Sequence, residues 1–258
     1  MNSTRRADNL VRALAGLALG LSALASQADT TTRVDKAAAL LQPVANTLSP
    51  RQQAILPIAA LAAAGDIARL GPALEQGLGA GLTVNDAKEI LVQLYAYAGF
   101  PRSLNALGEL MKVVEERKRR GIQDAQGKTP TRVIPTGDAL LAAGTANQTR
   151  LVGSPVRGPL FEFAPVADLY LKNHLFGDIF ERDNLDWQSR ELATVGMLAA
   201  LPGAESQLQS HMRMSMNVGI TSAQLGQVAQ VLAVNVDADA GRRAREALVR
   251  HLASQSGK

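Results

Sequence analysis

The chain has 258 residues, a formal net charge of +4 and 47% hydrophobic residues, enough for a sizeable core in one large domain or two small ones. It contains no cysteine, which excludes disulfides, thiol redox catalysis and thiolate metal sites. It also lacks a basic stripe with interleaved aromatic residues, so we expect no nucleic-acid partner.

Residues 1–28 have the pattern of an export signal. The basic segment MNSTRRADNLVR precedes the apolar segment ALAGLALGLSALA, and Ala23-Leu24-Ala25 has the form of a cleavage site. Cleavage after Ala28 and an uncleaved amphipathic helix are the alternatives. We predict a signal peptide, a periplasmic mature protein and no stable membrane insertion after cleavage, because the apolar run is short for a bilayer span.

Helical periodicity and capping residues predict five helices in a first domain, residues 32–120. The first helix covers about 32–47. The fourth runs to about residue 98, and the fifth ends in the basic segment EERKRRG. The later four follow a cap or a chain break at Ser49, Asp66, Thr83 and Gly99.

Residues 121–137 are rich in Gly, Thr, Pro and polar residues and predict a linker. A second domain follows over residues 138–258. Its predicted helices are about 138–147, 165–180, 187–201 and 204–217, then one capped by Thr221 and a last one starting at Asp237 or Asp239. No convincing strand occurs, so the predicted fold class is all-α.

The two domains contain an internal repeat. The segment that starts at Arg51 aligns without gaps with the one that starts at Ser189, and the glycines and helix caps coincide. Chemistry-bearing residues differ between the copies, because Glu191 aligns with Gln53 and His211 aligns with Ala73. Only the second copy therefore carries an acid and an imidazole at these positions.

Glu191 and His211 lie on consecutive helices that flank the Pro202-Gly203 turn. At about 1.5 Å rise per residue, antiparallel helices would place the two residues only about 4.5 Å apart along the axis. A glutamate and a histidine facing each other in an apolar crevice make a usable proton-transfer pair. A buried structural hydrogen bond is the alternative.

Three methionines follow His211 in the segment HMRMSMNVG. On one helix Met212, Met214 and Met216 cannot all converge with His211, which argues against a copper site. We therefore predict no metal, and interpret the methionines as adaptable core residues. Met214, three residues after His211, would help to shape a ligand pocket.

The chain resembles the carboxymuconolactone decarboxylase family in three segments: LSPRQQAILPIAALAAAGD, GAGLTVNDAKEILVQLYAYAGFP and RELATVGMLAALPGAESQLQSHMRMSMNVGIT. The resemblance covers about residues 47–119 and 138–253. It implies two homologous helical domains with the fold of alkyl-hydroperoxidase-type proteins. It also implies ring-like oligomers, such as a homotrimer of two-domain chains, and decarboxylation of a carboxylated muconolactone without a cofactor.

The resemblance matches the family's core histidine to His211, its helix acid to Glu191, and a further histidine to His174. Arg190, Arg213 and His174 are candidate anchors for a substrate carboxylate, although each arginine is also consistent with a solvated surface charge. The branch of the family that reduces peroxides needs a Cys-x-x-Cys pair, which ESQLQSH lacks, so a thiol peroxidase is excluded.

Two functions remain open from the sequence. The first is a cofactor-free lyase whose partner is a small carboxylate or lactone, with His211 as the acid–base and Glu191 as its partner. The second is a non-catalytic exported protein of the same fold that binds a small molecule or acts as a scaffold. The first copy favours the second function, because it lacks both the acid and the imidazole. Fold and family alone do not determine activity.

Overall fold

The computed structural model describes residues 46–256 of the chain. The predicted signal peptide and nearly all of the predicted helix at 32–47 lie outside the described residues. From Asn46 onward the chain forms one compact unit. Its described part consists of helices without a strand, which confirms the predicted all-α fold class.

The first repeat forms five described helices. Four of them begin at the predicted caps or chain break, whereas the single helix predicted from Thr83 to about residue 98 is divided at Leu94. Ser49 and Thr83 each close a capping box, and Asp66 accepts a hydrogen bond from the backbone N–H of Arg69. Residues 121–137, the predicted linker, contain no helix. The helices are α1 Pro50–Ala64, α2 Ile67–Gly79, α3 Val84–Gln93, α4 Tyr95–Ala98 and α5 Phe100–Arg119.

The second half departs from prediction in two segments. The short helix Pro159–Phe163 was not predicted. A single helix was predicted over 165–180, but the chain changes from an α-helix to a π-helix at Leu171. The elements are α6 Asp138–Val152, α7 Pro159–Phe163, α8 Pro165–Tyr170, the π-helix Leu171–Ile179, α9 Trp187–Ala199, α10 Glu205–Asn217, α11 Ser222–Asn235 and α12 Ala238–Ser256.

The backbone confirms the internal repeat. Gly65 and Gly203, which align in sequence, both have positive φ, 75° and 88°, and both lie in the turn that follows the first helix of the repeat. Arg51 Nη1 donates to Ser189 Oγ at 3.3 Å, and these two residues also align with each other. A contact between a residue and its own counterpart is the arrangement expected for a pseudo-two-fold axis between the repeats.

The equivalent helices α1 and α9 pack against each other beside this axis. Gly196 of α9 makes the approach close, because a Cβ atom there would lie 2.9 Å from the carbonyl oxygen of Leu56. Both helices are buried over most of their length, and they form the centre of a main core that includes Ile55, Leu61, Val195 and Leu208. Within residues 46–256, no helix is long and apolar enough to cross a membrane.

Candidate functional site

A buried pair of Glu191 and His211 lies between α9 and α10. The Nδ1 atom of His211 is 2.8 Å from Oε2 of Glu191, and the two residues are 6% and 0% exposed. Asp186 fixes the start of α9 by accepting a hydrogen bond from the backbone N–H of Ser189. The predicted proximity of the two side chains is confirmed, while their catalytic roles stay a prediction.

The pair retains unused hydrogen-bonding capacity. Nε2 of His211 makes no hydrogen bond within the described residues, and Oε1 of Glu191 is buried without a partner. Ser215, one helical turn after His211, also has a buried hydroxyl without a partner. Buried polar atoms are normally satisfied, so Oε1 of Glu191 and the Ser215 hydroxyl are exceptions among the described residues.

Tyr97 of α4 lies against the imidazole and was not predicted from the sequence. Its ring meets the ring of His211 edge-on, with the centroids 5.9 Å apart. Thr194 Oγ1 lies 3.3 Å from the Tyr97 hydroxyl, and Gln93 Nε2 donates to Thr194 Oγ1 at 2.8 Å. Burial, and then the negative charge of Glu191, raise the pKa of Tyr97, so its hydroxyl stays protonated.

A smaller aromatic cluster lies on the same side of α10 as Met214. Tyr97 packs against both this cluster and the main core, so it joins the two. Met214 is buried here, and its role in shaping a ligand pocket stays a prediction. The buried members of the cluster are Leu151, Leu175, Phe176, Ile179, Phe180 and Met214.

Arg190 is not a surface residue, contrary to one sequence-based interpretation. Its side chain is fully buried, and Nη2 donates to Oε2 of Glu89 at 3.1 Å while Nη1 donates to Gln93 at 3.2 Å. Arg182 also holds Glu89, through hydrogen bonds of 2.6–3.1 Å. Arg190 therefore holds α9 against α3. Its Nη groups are hydrogen-bonded to Glu89 and Gln93 and are not available to a carboxylate ligand.

His174 and Arg213 make no hydrogen bond or ion pair with the Glu191–His211 pair among the described residues. His174 is exposed on the π-helix, where its Nδ1 lies 2.8 Å from Oδ2 of Asp178. Arg213 lines an open groove of about 370 Å³ with His251. Their predicted contact with a substrate at His211 has no direct support in this geometry.

The methionines of α10 point in different directions. Met212 is buried in the main core and Met216 packs partly buried against it, whereas Met214 belongs to the aromatic cluster. Across residues 46–256, no group of three or more histidine, aspartate or glutamate residues could hold a metal ion.

The fold and the site define a class of protein: a helical tandem repeat with one buried histidine–glutamate pair. The model of the carboxymuconolactone decarboxylase family matches the chain twice, over residues 28–111 and 165–250. The chain therefore belongs to the carboxymuconolactone decarboxylase family. A comparison with curated proteins finds no match.

Proposed function

We propose that the protein is a lyase that decarboxylates a small carboxylated lactone or a related organic acid without a cofactor. The observation that supports this proposal is the buried contact between Nδ1 of His211 and Oε2 of Glu191. Glu191 accepts the Nδ1–H, which orients the ring and leaves Nε2 as the other ring nitrogen. Nε2 then faces the ligand as a proton donor or acceptor.

The reaction needs one proton and a place for one electron pair. The bond between the ring carbon and the carboxylate breaks, and CO₂ leaves. The electron pair passes into the conjugated lactone carbonyl and gives an enolate. The imidazolium of His211 then delivers the Nε2 proton to carbon, and the neutral imidazole takes a proton from water before the next turnover.

The assay follows loss of lactone absorbance and release of CO₂ with 4-carboxymuconolactone and a panel of other carboxylated lactones. Glu191→Gln is expected to lower turnover about 100-fold, the usual effect of disabling acid–base catalysis. Gln53→Ala is the matched control, because Gln53 occupies the equivalent position of the first repeat and should leave turnover unchanged. Absence of turnover by the wild-type protein on every lactone would contradict the proposal.

A small-molecule-binding protein without catalysis is the second candidate. The first repeat favours it, because Gln53 donates to the carbonyl of Leu48 at 2.9 Å and position 73 is an alanine. One of the two equivalent positions therefore holds no acid–base pair at all. Saturable binding of a carboxylated lactone without release of CO₂ would favour this candidate over the lyase.

A further inference from the structure

The residues around the imidazole come from both repeats. Glu191 and His211 lie on α9 and α10 of the second repeat, whereas Tyr97 lies on α4 of the first. Gln93 of the first repeat also crosses to the second, where its Nε2 donates to Thr194 Oγ1 and to the carbonyl of Arg190. The site is therefore assembled across the pseudo-two-fold axis.

The same symmetry defines a second position with the roles of the repeats exchanged. There Gln53 replaces the glutamate, Ala73 replaces the histidine, and Asn235 of α11 aligns with Tyr97. Asn235 is exposed, and its Nδ2 donates to the carbonyl of Val231 on its own helix. This second position therefore lacks the acid, the imidazole and the phenol of the first.

The Tyr97 hydroxyl can donate to a ligand while the polar groups beside it remain hydrogen-bonded. Thr194 has a single hydroxyl proton, and its Oγ1 lies 3.0 Å from the carbonyl of Arg190 and 3.3 Å from the Tyr97 oxygen. If Thr194 donates to Tyr97, the Arg190 carbonyl still accepts from Gln93 at 3.1 Å. The Tyr97 O–H is then free to donate while its buried neighbours keep a partner.

We propose that Tyr97 is a ligand-binding residue supplied by the first repeat, and that it donates a hydrogen bond to a carboxylate or lactone oxygen of the molecule held at His211. The proposal rests on the proposed function for the class of ligand. Burial and the charge of Glu191 raise the pKa of Tyr97, so its phenol is a neutral donor to an anionic ligand at neutral pH.

The test measures binding of a saturated carboxylated γ-butyrolactone, used as a non-reacting probe, by calorimetry on the full chain. Tyr97→Phe keeps the ring against His211 and removes only the hydroxyl. It should weaken probe binding about tenfold, as expected for one hydrogen bond to a charged acceptor. Tyr95→Phe is the matched control, because Tyr95 lies on the same helix with its ring stacked on Phe100 at 4.5 Å.

The results of this experiment distinguish the role of Tyr97 in binding from the proposed lyase activity. Weaker probe binding in Tyr97→Phe alone supports a ligand site at His211 that includes Tyr97 of the first repeat. This conclusion holds even if no lactone is decarboxylated. Equal binding by the wild-type protein, Tyr97→Phe and Tyr95→Phe overturns it, even if the wild-type protein is a lyase. No probe binding by the wild-type protein also overturns it. Circular dichroism of both variants checks that the helices are retained.

Discussion

At the scale of single residues, the charge of Glu89 holds two guanidinium groups between the repeats. Glu89 is buried on α3 and contacts Arg190, which is fully buried, and Arg182, which is partly exposed. Burial raises the pKa of Glu89, but hydrogen bonds from Arg182 and Asn184 and the charge of Arg190 lower it more, so the net shift is downward. The carboxylate therefore stabilises the fold in its charged form.

Glu89→Gln should lower the free energy of unfolding by about 3 kcal/mol or more, because it leaves the buried Arg190 without its anion. Because the folded pKa of Glu89 lies below its ordinary value of 4.5, its contribution is complete above that pH. The contribution is lost as the pH falls through the folded pKa, so the acid side of the stability profile should be flatter in Glu89→Gln.

Both the loss of stability and the flatter acid side can be measured by urea unfolding of the wild-type protein and Glu89→Gln. The measurements run from about pH 3 to about pH 7, which includes the range in which carboxylates titrate. Glu116→Gln is the control, since Glu116 is an exposed partner of Arg119 and its loss should change stability by less than about 0.5 kcal/mol. Equal stability of Glu89→Gln and the wild-type protein would show that the ion pairs of Glu89 with Arg182 and Arg190 are not needed for folding.

At the scale of helices, the crossing of α1 and α9 depends on Gly196. An added methyl group would press on the Leu56 carbonyl and on Cβ of Ala59, 3.2 Å away. We expect Gly196→Ala to destabilise the protein by about 1–3 kcal/mol, because backbone cannot move aside as a flexible side chain can. Gly226→Ala on α11 has no atom within 4 Å of the new Cβ and should be neutral or stabilising.

Thermal unfolding of the two variants gives the comparison directly. A lower midpoint for Gly196→Ala alone is expected. The same midpoint for both would mean that the repeats can separate slightly at this crossing without loss of stability.

The helices that sequence predicts best are those with local signals. The caps Ser49, Thr83 and Asp186 act within a few residues, so they fix helix starts whatever surrounds them. The π-helix has no such signal. Gly144 of α6 lies directly against the carbonyl of Lys172, and this contact between distant segments cannot be read from periodicity in one of them.

The same distinction applies to the site. Glu191 and His211 are joined by one short turn, so residue spacing alone predicts that they meet. Tyr97 and Arg190 depend on how the first repeat packs against the second, and no local pattern carries that information. Alignment of the two repeats identifies the positions equivalent to Tyr97 and Arg190. It does not show that Tyr97 of the first repeat lies at the site of the second.

At the scale of the whole molecule, apolar side chains remain exposed on the single chain. One stripe lies along α5 at Phe100, Leu104 and Met111, and another group lies on α7 and α8, including Leu160, Phe163 and Val166. Exposed apolar side chains that are grouped in this way are typical of interfaces. We propose that a homo-oligomer, a trimer of two-domain chains, covers it.

Light scattering should give the mass of a trimer for the wild-type protein. The double variant Leu104→Glu and Met111→Glu should lower the mass, because it places charges in the proposed interface. Lys118→Glu, an exposed position on the same helix, makes an equal change in net charge and should leave the mass unchanged. A monomer mass for the wild-type protein would contradict the proposal.

We also propose that the protein is exported and that the mature chain begins after Ala25 or Ala28. N-terminal sequencing of protein recovered from the native host should give Ser26 or Asp29 as the first residue. An intact Met1 on protein from the cytoplasmic fraction would contradict this expectation.

The most direct test of the account is the release of CO₂ from 4-carboxymuconolactone by His211→Ala beside the wild-type protein. His211 is the proposed proton donor, and among residues 46–256 its Nε2 makes no hydrogen bond. We predict that the variant keeps its helix content and oligomer mass but loses turnover about 100-fold or more, the effect of removing an acid–base group. Full turnover by His211→Ala would contradict the account.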